Sequence, residues 1–120
     1  MAIVFHIAHR SEWEAAELAG DGYAPAPFAE EGFIHCSTRD QVLNSAERHF
    51  SGTPTLVLVA LDEQPLGEHL RYEPAPTVGQ DFPHLYRRIG AADVVAVAPL
   101  DRAGGTAYTF PASLADLERD

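Results

Sequence analysis

Lysine is missing altogether from this 120-residue sequence, and cysteine occurs once. With no lysine and a net charge of −10, the chain has little with which to neutralise a row of phosphates, so extended nucleic-acid binding is not expected. The same acidity disfavours docking on anionic membranes and favours solubility. Cys36 has no intrachain disulfide partner and rules out a four-cysteine metal site, which fits a reducing, cytoplasmic setting. Spanning a bilayer takes an apolar run of about 18 residues; the longest run here, Leu56 to Leu61, has only the length of a strand. The opening Met-Ala-Ile-Val-Phe-His lacks the basic stretch and apolar core of a signal peptide. Repeats and low-complexity tracts are absent as well. The expectation is a soluble, intracellular protein without a membrane partner.

What remains is 46% hydrophobic, enough at this length for one core without staples. Residues 1–120 read as a single α+β domain, a monomer or at most a weak dimer. Ile3 to Ile7 is β-branched and aromatic, as in a first strand. Ser11 and Glu14 form a capping-box pattern, predicting a helix to about Leu18 that ends at Gly20 or Gly22. Tyr23 to Glu31, with its prolines, reads as an exposed arm, and Gly32 to Cys36 as a short buried strand. Ser37 or Thr38 caps a second helix whose buried face is Val42, Leu43, Ala46 and Phe50, with Gly52 and Pro54 as its stop. Thr55 to Leu61 is apolar throughout, predicting a central strand. Pro65 to Gly67 reads as a turn, Leu70 to Glu73 as a strand, and Pro74 to Asp81 as a polar loop. Further strands are predicted over His84 to Ile89 and Asp93 to Ala98, then an extended tail from Gly104 and Gly105 with a last strand near Tyr108.

Six histidines invite a metal reading, but no His-Glu-x-x-His and no paired His/Cys spacing supports it, so no metal is expected. His35 is unusual because it lies in an apolar stretch before a helix cap, where a buried imidazole needs a partner. On these residues alone a structural histidine held by a carbonyl and a functional one remain equally open. Cys36 is its neighbour, yet consecutive strand residues point to opposite faces, so a Cys–His nucleophile pair is not favoured. In Phe82-Pro83-His84-Leu85-Tyr86-Arg87-Arg88, strand alternation places His84, Tyr86 and Arg88 on one face. Such a face is either a solvated edge or a pocket for an anionic aromatic ligand. Arg71, Arg87 and Arg88 are candidates for a local phosphate cluster.

Three segments together carry a resemblance: Phe5-His6-Ile7 with Trp13, Glu31-Gly32-Phe33-Ile34-His35-Cys36-Ser37 with Gln41, and Phe82-Pro83-His84-Leu85-Tyr86. They are similar to the family catalogued as domain of unknown function 952, which resembles a compact ADP-ribosyltransferase-like fold. The resemblance implies two small, mostly antiparallel sheets forming a cleft, flanked by two main helices, with NAD as the cofactor. It implies His6, His35 and His84 as the catalytic positions. It also implies a small-molecule, nucleotide-type ligand held by His6, Gly32, Phe33, Ser37, Arg71, Tyr86 and Arg88. A histidine at the third position replaces the glutamate usual in that fold, and the sequence does not place Glu73. Three functions are therefore open: an enzyme of glycosyl, ADP-ribosyl or 2′-phosphate chemistry; a non-catalytic nucleotide or metabolite module; or histidines that only fasten the sheets.

Overall fold

A computed structural model describes residues 2–50, 55–75, 79–103, 107–115 and 117. The first strand, β1 (Ile3–His9), runs straight into α1 (Arg10–Ala19). The capping-box expectation fails here, because the helix starts before Ser11 and its N-cap is His9, with no side-chain cap. The ladder supplies the reason: the Arg10 N–H still bonds the Thr55 carbonyl at 3.0 Å, so strand pairing satisfies this donor at the helix entry. Gly20, left-handed at φ 76°, closes α1 as expected.

The stretch 23–31 is not simply an exposed arm. Tyr23 is buried and exchanges two backbone hydrogen bonds with Ile89, and residues 28–31 form a short helix, α2 (Phe28–Glu31). Gly22 permits this contact: its φ is 83°, and a β-carbon there would stand 3.0 Å from the Ile89 carbonyl oxygen. The next strand, β2, comprises only Ile34–His35. Helix α3 (Arg39–Phe50) follows, and the Gln41 side chain in its first turn accepts from the Thr38 N–H at 3.0 Å. The expected stop at Gly52 and Pro54 lies outside the described residues.

After β3 (Leu56–Asp62) the predicted turn at Pro65 is a short helix, α4 (Glu63–Leu66), leading into a 3-10 turn, Gly67–His69. Pro65 fits in this first turn because its missing N–H would have no helical acceptor there. Of the expected polar loop 74–81, residues 74, 75, 80 and 81 are strand and 76–78 lie outside the described residues: β4 (Leu70–Ala75) and β5 (Gln80–Leu85) pair in register from Leu70 opposite Leu85 to Ala75 opposite Gln80. The predicted strand His84–Ile89 therefore ends at Leu85. Then come β6 (Val94–Ala103) and β7 (Ala107–Thr109), which contains Tyr108. Gly104 and Gly105 lie outside the described residues.

The strands form two antiparallel sheets, in the orders β1-β3-β6-β7 and β2-β5-β4. In the larger sheet β3 is interior, and Leu56 to Leu61 are all buried. Its alternate residues feed two cores. Leu58 packs with Phe5, Val42 and Ala46 on the α3 side, while Val59 packs with Val4, Trp13, Ile34 and Leu85 on the other. Segment 34–37 joins the sheets: Ile34 and His35 pair with Leu85 and His84, then Ser37 exchanges two 2.8 Å backbone bonds with Phe5. Pro83 is tolerated in the middle strand because the two-residue β2 ladder ends beside it, where only its carbonyl is used, by the Cys36 N–H at 3.0 Å.

Candidate functional site

His6 occupies β1, on the face shared with Val4 and Ala8, and is only 5% exposed. Its Nδ1–H donates to the His35 carbonyl at 2.7 Å, which leaves Nε2 to accept from the Tyr23 hydroxyl at 3.4 Å. Burial pulls the pKa down to about 4, outweighing the hydrogen bond to His35 that raises it, so the ring is neutral at pH 7. His6 thus fills the gap between β1 and β2 where the two strands diverge.

His35 and His84 are direct cross-strand partners with ring centroids 5.5 Å apart. The side chain of His35 was expected inside a buried strand, but it is 62% exposed. Its Nε2 meets the Glu31 carboxylate of α2 at 3.0 Å, one helical turn before it in sequence. His84 is largely enclosed, and its Nδ1–H donates to Glu73 Oε1 at 2.8 Å. The Tyr86 hydroxyl donates to the same oxygen at 2.5 Å. These bonds, Tyr86 first and His84 second, hold the Glu73 carboxyl below its usual range, and Glu73 in turn pushes the Tyr86 phenol up. Phe33 stacks on His84 at 4.2 Å and presents itself edge-on to His35 at 4.9 Å. Arg71 lies 5.3 Å from the centre of the Tyr86 ring.

All three histidines line one cavity of about 690 Å³, a size suited to a small organic ligand. Its walls are the β1 edge, Tyr23 and Pro25 to Pro27, the end of β4, Phe82 and His84 of β5, and the last turns of α3. Ser37 lines it too, with its hydroxyl 3.3 Å from Ser45 Oγ. Cys36 is a wall residue whose thiol is pushed up to about 12 by burial, so it is not a thiolate at neutral pH.

The other expected ligand contacts lie elsewhere. Gly32 is the left-handed cap of α2 at φ 82°, and Phe33, Tyr86 and Arg71 form the aromatic cluster around His84. Arg88 departs from the His84–Tyr86 face because the strand has ended; it binds the carbonyls of Asp21 and Gly22 at 3.2 and 2.8 Å. Arg87 makes a two-pronged pair with buried Asp93 at 2.8 and 3.0 Å. The three arginines are thus committed separately and form no phosphate cluster, and none lines the cavity. Arg48, which does line it, was not singled out from the sequence; its only signal was a basic residue ending an amphipathic helix. Glu73 had a better one, since strand alternation from Arg71 puts both on one face.

The strand edge adds a further group. Phe5 directs both its N–H and C=O away from β3 toward Ser37, whereas Arg10 N–H points toward Thr55 on the β3 side. By alternation Ile7 points its N–H and C=O as Phe5 does, on the side where β2 diverges from β1, and Ile7 lines the cavity.

The family model described as "Protein of unknown function (DUF952)" matches residues 7–97. The chain belongs to this family. The DUF952 chain is also similar to a crystal structure of protein CC0527 from Caulobacter crescentus, at 34% identity over 97% of both chains with a TM-score of 0.82. The solution structure of CC0527 matches at 39% identity over 88% of this chain and 90% of that one, with a TM-score of 0.74. No curated protein matches the chain. Among the described residues of this DUF952 protein, no helix is long and apolar enough to cross a membrane.

Proposed function

We propose that the cleft belongs to an enzyme acting on an NAD- or ADP-ribose-type ligand, on a fold of the ADP-ribosyltransferase kind, by glycosyl or ADP-ribosyl transfer or 2′-phosphate chemistry. The observation that carries this reading is the split between β1 and β2. Beyond the Phe5–Ser37 bridge, alternation along β1 turns the Ile7 N–H and C=O toward the side from which β2 diverges, beside a cavity walled by His6, His35 and His84. A carboxamide, with its own adjacent C=O and NH₂, is the complement of such an edge. The residues present therefore fit a nicotinamide-bearing ligand on that side of the cavity.

The chain's own groups divide the remaining work. His6, neutral and tied to the His35 carbonyl, holds the split open and fixes β2. His84, with Nδ1–H committed to Glu73, keeps Nε2 free to accept a hydrogen bond or a proton from a sugar hydroxyl. Glu73 supplies through His84 a negative charge that a lone histidine lacks, which stabilises developing positive charge nearby. His35, open to solvent and paired with Glu31, is positioned to exchange protons with water.

Calorimetric titration with NAD, ADP-ribose and nicotinamide tests this reading. Binding that weakens in His35→Ala and in His84→Ala is expected; no binding at millimolar ligand, or binding unchanged in His35→Ala, overturns it. The second reading, a binding module without turnover, is favoured by one observation: Glu73 is not itself a wall of the cavity. Release of nicotinamide to water or any acceptor excludes that version.

A further inference from the structure

Besides the His35–His84 pair and the β1 edge, the cavity is lined by Arg48 and His49 from the last turn of α3 and by His9 from the end of β1. Arg48 has no carboxylate partner within 4.0 Å among the described residues; the contact found for its guanidinium is the Phe82 ring, 6.0 Å away. The other arginines discussed above differ: Arg87 is spent on Asp93, Arg88 on two carbonyls, and Arg71 lies over Tyr86.

We propose that the α3 wall of the cleft, formed by Arg48 and His49 with His9, is an oxyanion subsite that takes a phosphate or diphosphate group of the ligand. The group is anionic because an uncommitted guanidinium lines the cavity beside two imidazoles that can supply N–H donors, in a protein of net charge −10 with no lysine. A positive charge without a carboxylate partner on a cavity wall stands out against the acidic remainder. A guanidinium presents its N–H groups in a fixed fork that matches phosphate oxygens. His49 is held below its ordinary basicity by desolvation, then by Arg48 and His35, which shows how closely these groups crowd. A bound anion relieves that crowding. The carboxylates that also line the cavity are Glu12 and Glu31, and Glu31 is taken up by His35. The position of Arg48 and His49 in the last turn of α3 also complements the helix dipole, a purely structural role that the test must separate.

The subsite rests on the proposed ligand class only for the identity of the molecule that carries the phosphate. Inorganic pyrophosphate, ADP-ribose and nicotinamide are titrated separately into the full chain and into Arg48→Gln. The readouts are calorimetry and the ¹⁵N shifts of the Arg48 side chain and His49 ring. The expected result is that pyrophosphate and ADP-ribose both move these resonances, and that Arg48→Gln weakens both ligands about tenfold while leaving nicotinamide unchanged. Pyrophosphate binding at Arg48 without any NAD-type binding keeps the subsite and removes the proposed function. ADP-ribose binding that is indifferent to Arg48→Gln removes the subsite and keeps the function. No shift with either anion, or an effect of Arg48→Gln on the melting temperature alone, also overturns the subsite.

Discussion

The two sheets meet at segment 34–37, yet they are built to opposite ends. The four-stranded sheet has its interior strand β3 covered on both faces, with every residue from Leu56 to Leu61 buried. The three-stranded sheet has one apolar face, with Ile34 and Leu85 in the core, and one open face bearing His35, His84, Glu73 and Arg71. Histidine itself displays the contrast. His6 in the large sheet is dry, neutral and doubly hydrogen-bonded, whereas His35 in the small one is mostly in water. Apolar burial thus dominates one sheet and solvent-facing polar groups one face of the other, and the segment joining them sets where the second lies against the first.

The largest expected effect that sharpens this division is on the core. Leu58→Ala should cost about 3 kcal/mol in urea denaturation, because a fully buried leucine leaves a cavity. A loss below about 1 kcal/mol would mean that β3 is not the anchor.

Next in size is the pH dependence set by His6. Its native pKa of about 4 lies below the ordinary 6.5, so between these values the unfolded chain binds a proton that the native chain refuses. Stability should therefore rise as pH increases from 4 to 6.5, by roughly 3 kcal/mol in all from this group. His49, also lowered, adds in the same direction. His6→Gln should flatten the slope in that window; an unchanged slope would show that burial of His6 is not its source.

A smaller change separates chemistry from stability. Glu73→Gln should leave the urea midpoint in place, lower ligand affinity or turnover roughly tenfold, the scale of one charge-assisted hydrogen bond, and let the Tyr86 phenol return toward its ordinary 10.0 in an ultraviolet titration. Smallest is the stability effect of His35→Ala, within about 0.5 kcal/mol because that ring is mostly in water. Unfolding of this variant would break the comparison and return His35 to the role of a fastener.

Much of the skeleton was legible because it depends on local pattern. The apolar run 55–61 and the Val42 and Ala46 face of α3 each follow from hydrophobic pattern alone, and the strand at Tyr108 lies in the extended tail expected after Gly104 and Gly105. His35 stood out as a polar ring in an apolar segment and His84 as one on an alternating face, whereas His6 joined them only through the family resemblance. What failed depended on partners distant in sequence. Strand pairing to Thr55 outweighed the Ser11 capping box, the Ile89 bridge drew Tyr23 into the core, and the β4 ladder carried strand structure through Pro74.

The sequence by itself determined an α+β chain with an apolar central strand and with His84 and Tyr86 at alternating positions, because side-chain periodicity is a property of a few neighbouring residues. Only the tertiary structure decided which acid meets His84, which arginine borders the cavity, and that His6 is dry while His35 is wet. Each of those outcomes turns on how two sheets diverge after a single shared bridge at Phe5 and Ser37, and no local pattern encodes that divergence.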